Sequence, residues 1–399
     1  MQSGRNTLSV TDQVCDFCGF NNLQPVYVVP GSLRMSVVHL CPGCGLTQSK
    51  QPQREDHTSR LIANSCEADW GNIRHGKGIR LDPAINVLSG QVDWSSVLTL
   101  TDIGSNRGKF IHWVAQNHPH VRITAIEPDN TIAGDYPPGI TLLPVKFENT
   151  FLPGDSQDMV FNCHTLEHAD SASSMVREMN RILKPGGNLF LDVPNILVIE
   201  DPSQVEEFFI DKHVYHFHPK ILRNFLESAG FDIVYESPAY DHFNIIYLCR
   251  KTNKTIPFTG LEKGEIDRVR TEIQDYSRRL GTNRSSLKSI AQTLQSFMSR
   301  QKVAVWGAGK LLDALVRYGK LNVSALPFVI DDHLWGILSE THGVRITTSG
   351  VLRQYHADVV VVLARSSTGE IVRKARRLGI INIITYEDLC SGITRYQHA

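Results

Sequence analysis

The stretch that most constrains this chain is VLTLTDIGSNRGKFIHWVAQNHPHVRITAIEPD, from Val97 to Asp129. Val97, Leu98 and Leu100 lead into Asp102 and Ile103, an apolar run with the length of a buried strand. The run breaks at Gly104-Ser105-Asn106-Arg107-Gly108, and Phe110, Ile111, Val114 and Ala115 then recur at helical spacing. A second strand, Val121 to Ile126, ends on Glu127. Glycines in such a turn let the backbone pass close to a ligand, with a helix N-terminus directly behind it. An acid that ends the next strand accepts hydrogen bonds from both hydroxyls of a ribose. The pattern asks for an adenosine-type ligand at the head of a Rossmann-like sheet, with a ligand-free strand-turn-helix as the alternative.

The same turn narrows the ligand. Dinucleotide sites usually carry three glycines, G-x-G-x-x-G, and pack a pyrophosphate against the helix. Here only Gly104 and Gly108 are glycine, with Asn106 between them and Asp102 ahead of them. An acid at that point suits the ammonium of a methionyl group and repels a pyrophosphate. The downstream segment MVFNCHTLEHADSASSMVREMNRILKPGGNLFLDVPN, Met159 to Asn195, resembles the second half of class I S-adenosylmethionine (SAM) methyltransferases. The shared succession is a strand, Leu166-Glu167-His168, a helix, Leu183-Lys184-Pro185-Gly186-Gly187 and another strand. The resemblance makes SAM the expected cofactor, held by Asp102, Gly104, Ser105, Asn106, Gly108 and Glu127. Phe147 and Glu148 are expected beside the adenine, and His164 completes the cofactor candidates.

Length and charge set the outer bounds. At 399 residues the chain exceeds one ordinary domain, so two or three are expected. Lys plus Arg equals Asp plus Glu, 41 each, with no long run of like charge. That balance argues against a nucleic-acid partner, which normally leaves a basic footprint. No apolar stretch reaches membrane-spanning length, and Met1 to Val14 is polar rather than signal-like. A soluble cytoplasmic protein is expected, as a monomer or weak homodimer, with no membrane partner.

Four of the eight cysteines have an explanation other than disulfides. Cys15-Asp-Phe-Cys18-Gly and Cys41-Pro-Gly-Cys44-Gly form two C-x-x-C-G knuckles with 22 residues between Cys18 and Cys41. Two such turns aim four thiolates at one point, the tetrahedral arrangement that Zn²⁺ prefers. The glycine after each second Cys suits the tight turn that brings backbone N–H groups towards sulfur. All four positions are Cys, so no place is left for water and the zinc is expected to be structural. Val26 to Val29 and Met35 to Leu40 read as short strands between the knuckles.

Gln51 to Ile79 is polar and irregular, and Leu81 to Trp94 contains a short helix. Further strands are expected at Ile140 to Val145, Asp158 to Cys163 and Asn188 to Val193, with a closing hairpin at Phe231 to Glu236 and Asn244 to Cys249. Pro219 to Ala229 is an amphipathic helix stopped by Gly230. Lys251 to Gly260 reads as a linker, and Glu262 to Arg300 as two helices broken near Gly281-Thr-Asn283. A second alternating unit starts at KVAVWGAGK, Lys302 to Lys310, with a helix to Gly319 and strands ending at Ile330 and Leu363. Its Gly307-x-Gly309 lacks a third glycine, because Leu312 takes that place, so it is a weak dinucleotide signature. The fold class expected is α/β: a class I SAM methyltransferase Rossmann-like sheet, an N-terminal zinc-binding domain and a second, C-terminal Rossmann-like domain. The divisions read as 1–60, 61–255 and 256–399.

These three parts, in this order, resemble the sugar C-methyltransferase family, which builds branched deoxysugars on nucleotide carriers. The motifs that carry the resemblance are the paired knuckles with Cys44-Gly45-Leu46, Asp102 to Gly108, and Val305-Trp306-Gly307-Ala308. In that family the nucleotide sugar lies between the central and C-terminal domains, and histidines matching His168 and His213 belong to the active site. The chemistry explains the histidines. Methylating a sugar carbon requires removal of a proton beside a ketone, and a histidine base titrates near neutral pH while a nearby donor steadies the enolate oxygen. His213 lies in FFIDKHVYHFHP, Phe208 to Pro219, with His216 and His218 expected to be solvated or packed. His213 is the expected base, with Lys212 or His168 as oxyanion partner. The family places Tyr and Glu shortly before the base, where this chain has Ile210 and Lys212. A basic residue there lowers the pKa of His213 and binds an oxyanion itself. The sequence therefore leaves four readings: C-methylation of a nucleotide-linked sugar first, then O-methylation of a glycan or small molecule, a zinc-ribbon RNA methyltransferase, and a non-catalytic nucleotide-sugar-binding protein.

Overall fold

The computed structural model describes residues 14–32, 35–50, 81–129, 136–202, 204–238, 243–252, 254–336, 338–364 and 367–391. The expected connection at Gln51 to Ile79 lies outside them. The chain divides into two compact units: Asp201–Glu207 and Tyr276–Ala399 belong to the second, and the remainder of the described chain to the first.

The first unit opens with the knuckles and three antiparallel strands, β1 (Gln24–Val28), β2 (Val37–Leu40) and β3 (Thr47–Lys50). Helix α1 (Leu81–Gln91) then leads to β4 (Thr99–Ile103), α2 (Lys109–Asn117), β5 (Arg122–Ile126), β6 (Thr141–Leu143) and β7 (Gln157–Cys163). After α3 (Ala172–Ile182) and β8 (Leu183–Pro194) come the two-residue β9 (Tyr215–His216), α4 (Pro219–Ser228), β10 (Phe231–Glu236) and β11 (Asn244–Lys251). The large sheet runs β10-β11-β8-β7-β4-β5-β6. Strands β6, β5, β4, β7 and β8 are parallel, and the β10–β11 hairpin closes one edge antiparallel.

The helical stripe of α2 explains how this sheet is covered. Phe110, Ile111 and Val114 are wholly buried. The Phe110 ring stacks on Phe161 of β7 at 3.7 Å, and Phe161 stacks on Phe190 of β8 at 4.9 Å. Three aromatic side chains on neighbouring elements thus fix the helix over the centre of the sheet. With α2 anchored there, the turn that precedes it lies at the C-terminal ends of the parallel strands, where open α/β sheets bind ligands. The small sheet of the knuckle region is extended by this unit's own chain, because β3 pairs with β9.

Two expectations are corrected. Glu262 to Arg300 is not two helices: α5 (Lys263–Arg300) runs unbroken through Gly281. A helical glycine costs about 1 kcal/mol relative to alanine, whereas Leu280, Leu287, Ile290 and Leu294 on this helix are all buried. Asn283, a residue that often ends helices, turns its side chain outwards and donates from Nδ2 to the carbonyls of Pro202 and Gln204. The second correction concerns the linker. Its last residues are docked, since Leu261 N–H donates to Cys44 O at 2.9 Å and a Cβ at Gly260 would lie 2.4 Å from Cys44 Cα.

In the second unit, β12 (Val303–Trp306), α6 (Lys310–Arg317), β13 (Val329–Ile330), β14 (Glu340–Thr341), β15 (Val344–Thr347), β16 (Val359–Val362), α7 (Thr368–Arg377), β17 (Ile383–Thr385) and α8 (Tyr386–Cys390) follow in order. The sheet runs β14-β15-β13-β12-β16-β17, parallel except at β14. This is the expected second Rossmann-like unit. Among the described residues no helix is long and apolar enough to cross a membrane.

A Cβ at Gly281 would meet nothing within 4 Å. Gly281→Ala should therefore raise stability by about 0.5–1 kcal/mol, measured by thermal or urea unfolding of the full chain. A loss of stability would mean that the helix is broken there after all.

Candidate active site and cysteine cluster

The glycine turn is held open from three sides. Gly104 and Gly108 have φ of +66° and +68°, where a side chain is strained. Space is short as well: a Cβ at Gly104 would come 2.2 Å from Thr165 Oγ1, and one at Gly108 would come 2.5 Å from the Tyr136 ring. Thr165 is in place because its hydroxyl donates to Ile103 O at 3.1 Å, at the end of β4. The amides of Gly104 and Ser105 both donate to Ile126 O, at 2.8 and 3.1 Å. Glu127, at the end of β5, accepts the Asn106 N–H on Oε2 at 2.8 Å and the Asp129 N–H on Oε1 at 3.1 Å. The predicted turn residues and Glu127 are thus brought together, and Glu127 organises the turn. A carboxylate has lone pairs enough for both bonds.

Asp102 is fully buried in β4, opposite Ala125 and Phe161. Tyr136 was not singled out from the sequence, yet its hydroxyl lies 2.6 Å from both Ser105 Oγ and Asn106 O. Burial pushes its phenol up to about 12; Ser105 opposes this, and the charges of Asp102 and Glu127 add to it. Its hydroxyl therefore lies in the field of the two acids expected to hold opposite ends of the cofactor. No motif marks this tyrosine. Phe147 goes into the interior, whereas Glu148 is exposed and accepts the Asp170 N–H at 3.2 Å.

A second cluster forms where β7 ends. His164, with φ +50°, is followed by the Leu166-Glu167-His168 turn, and Glu167 is wholly buried. Three imidazole nitrogens surround Glu167 Oε1: His164 Nδ1 at 3.2 Å, His168 Nε2 at 3.7 Å and His213 Nε2 at 3.9 Å. Burial alone raises the Glu167 pKa, but His168, His164 and His213 outweigh it and hold the carboxyl well below the usual range. Burial does the reverse to His213, which lies well below the ordinary histidine value, with His168 adding to the shift and Glu167 opposing it. His164 Nε2 lies 3.4 Å from Asp192 Oδ1 on β8. His168, His213 and His164 therefore meet at one point, as candidates for different roles. Lys212 reaches the cluster through its carbonyl, which accepts from His168 Nδ1 at 2.8 Å. Glu167 and Asp192 were missed: the first lay inside a motif quoted for its histidine, and the second carries no local signal.

The loop that presents His213 is held by the knuckle region. Asp211 accepts hydrogen bonds from the hydroxyls of Ser32 and Ser36, the latter at 2.9 Å. Ser49 N–H donates to Val214 O at 2.7 Å, and its hydroxyl meets His216 Nε2 at 2.7 Å. His216 is buried beside the rings of Phe208 and Phe209, and burial lowers its pKa to about 3. It is a packed residue. His218 caps α4 by accepting the Lys220 N–H at 3.2 Å. In the knuckles, Cys15 Sγ lies 3.5 Å from Cys44 Sγ and Cys18 Sγ 3.5 Å from Cys41 Sγ. Ligating sulfurs on a tetrahedral Zn²⁺ with bonds of about 2.3 Å stand about 3.7 Å apart, so the donor set fits that ion. Gly19 and Gly45, at φ +71° and +86°, donate back to the carbonyls of Cys15 and Cys41.

Ser49→Ala removes the partner of a buried imidazole, which costs about 1–3 kcal/mol. Hydrogen exchange across Tyr215–Phe217 should then speed up about five- to a hundredfold. Unchanged exchange would free the loop from dependence on this contact.

Comparison with known proteins follows the same lines. Residues 80–236 match the family described as Methyltransferase domain. No curated protein matches the chain. Among solved structures, the chain is similar to 1,6-didemethyltoxoflavin-N1-methyltransferase of Burkholderia thailandensis, with bound 1,6-didemethyltoxoflavin and S-adenosylhomocysteine. The identity is 14%, over 58% of this chain and 100% of that one, with a TM-score of 0.38. It is also similar to an S-adenosylmethionine dependent methyltransferase of Mesorhizobium loti, at 16% identity over 42% of this chain and 96% of that one, TM-score 0.35. Residues 80–236, which match the family described as Methyltransferase domain, build a Rossmann-like parallel sheet with the glycine turn at its strand ends.

Proposed function

We propose that the chain transfers the methyl group of SAM to a sugar acceptor carried on a nucleotide, with carbon slightly favoured over oxygen. The observation that carries this is the meeting of His213, His168 and Glu167 beyond the same strand ends that present the glycine turn. Bound SAM supplies an electrophilic methyl on a sulfonium. The chain's own groups do the rest. Asp102 and the turn take the methionyl end, and Glu127 accepts from the ribose. His213 takes the proton from the carbon beside a sugar ketone, and His168 or Lys212 steadies the enolate oxygen. The carbanion then displaces the thioether and leaves a protonated imidazole. Ile210 and Lys212 favour a second reading, in which a hydroxyl is deprotonated and no enolate forms.

Cys15, Cys18, Cys41 and Cys44 are proposed to hold one structural Zn²⁺, in a division of the chain into zinc, methyltransferase and C-terminal parts. The C-terminal Rossmann-like unit is proposed to serve acceptor binding rather than a redox cofactor. Its Gly307-Ala308-Gly309 turn lacks a third glycine, and Asp331 Oδ2 already accepts the Ala308 N–H at 3.0 Å.

Four outcomes test these assignments. Metal analysis of dialysed protein should find one zinc held by the thiols, and Cys41→Ser should lower stability, because such ligands assemble only on folding; a Cys41→Ser chain as stable as wild type would remove the zinc. Glu127→Ala should weaken SAM by about 1–3 kcal/mol, and calorimetry with an unchanged Kd would take Glu127 out of the site. His213→Ala should lower turnover on the order of 10²–10⁴-fold with SAM affinity kept. Wild-type turnover would sink the base. Exchange of a carbon-bound substrate proton with deuterated water separates carbon from oxygen acceptors, since only the enolate route labels that carbon.

A further inference from the structure

We propose that Glu167, His168 and His213 form a site for a divalent transition-metal ion, distinct from the four-cysteine cluster. The orientation of His168 carries the argument. Its Nδ1 lies 2.8 Å from Lys212 O. A carbonyl oxygen only accepts, so the proton is on Nδ1 and the lone pair of the neutral ring is on Nε2. That nitrogen faces Glu167 Oε1 at 3.7 Å. Two acceptors pointed at each other inside a protein repel, and only a proton or a cation between them removes the conflict.

The donor set favours a cation. Glu167 Oε1, His168 Nε2 and His213 Nε2 all lie within 4.8 Å of one another. Two imidazoles and one carboxylate are the ligands of many zinc and iron sites that keep a position open. The surroundings also resemble a ligand shell. Lys212 O orients His168, and the Val214 N–H donates to Glu167 O at 2.8 Å, tying the His213 loop to the Leu166–His168 turn. Behind the carboxylate, His164 bridges Glu167 Oε1 at 3.2 Å and Asp192 Oδ1 at 3.4 Å. A tetrahedral ion with bonds of about 2.0–2.1 Å holds its ligands about 3.3–3.4 Å apart. The observed 3.7 and 3.9 Å therefore close by about half an ångström, within reach of side-chain rotation alone. The ion site stands on this geometry; its consequence rests on the methyl-transfer reading, since an ion on His213 Nε2 takes that lone pair out of proton transfer, so the ion-free cluster is the form in which His213 acts as base and the ion-loaded cluster is an inhibited form.

Cobalt titration of the full zinc-loaded chain tests the site by metal count and absorption spectrum. We expect a second ion per chain, without the thiolate-to-metal charge transfer of a cysteine site. Glu167→Gln and His168→Ala should each weaken that ion at least tenfold and leave the thiol-bound ion in place. His168 is partly exposed, so its variant tests ligation even where the buried Glu167→Gln fails to fold; retained SAM binding confirms the fold of each. A single ion per chain, a second ion with thiolate bands, or equal affinity in both variants would overturn the site and show that a proton resolves the cluster. Methyl transfer by a chain that takes only one ion defeats this site alone. A chain that binds the second ion yet transfers no methyl even before that ion is added defeats the methyltransferase reading and leaves the site standing.

Discussion

The buried carboxylate of Glu167 is the constraint on which the rest of the active region depends. A charge taken wholly out of water costs several kcal/mol unless the protein compensates it. Three imidazole nitrogens face its Oε1 here, and each comes from a different place: His164 from the end of β7, His168 from the next turn, and His213 from a loop 45 residues further on. Because they share one oxygen, a shift of any one of them changes the surroundings of the same buried carboxylate. The requirement thereby couples the sheet, the Leu166–His168 turn and the loop into one unit. It also explains why both pKa values fall: at Glu167 burial is outweighed by the neighbouring imidazoles, whereas at His213 burial itself lowers the value and Glu167 opposes it only in part.

The loop that delivers His213 has little structure of its own. Its two-residue strand β9 exists because β3 of the knuckle region offers it an edge, with Thr47 opposite His216 and Gln48 opposite Tyr215. Serines at 32, 36 and 49 fasten it on either side of His213, through Asp211 and His216. The knuckle region therefore does more than stabilise itself. Four thiols gathered on one ion would fix the hairpin, the hairpin fixes the loop, and the loop places an imidazole beside Glu167. Phe17 reinforces this from within the first knuckle, stacked 3.8 Å from Phe225 of α4.

The two Rossmann-like sheets use the same device at their glycine turns. In the first, the acid after the second strand binds the amide of Asn106 within the turn. In the second, Asp331 takes the corresponding place and binds the amide of Ala308. Gly307 is needed there for a separate reason: at φ +124° a Cβ would lie 2.3 Å from Leu363 O. That glycine serves the packing of neighbouring strand ends, so its presence alone does not argue for a nucleotide.

Local rules made most of the architecture legible. The alternation of apolar runs and helical stripes located β4, α2, β5, β7 and the β10–β11 hairpin, because strand and helix periods are properties of a few consecutive residues. Asp102, the two glycines and Glu127 were legible for the same reason, as was the C-x-x-C-G pair. Helix α5 was misread as two, because the penalty of Gly281 is local while the burial that overrides it is not. The pairing of β3 with β9, the closure of Tyr136 over the turn and the gathering of His164, His168, His213 and Asp192 around Glu167 were decided only in three dimensions. Each depends on residues tens to more than a hundred positions apart, and no single stretch of sequence records which buried charge will need which distant partner.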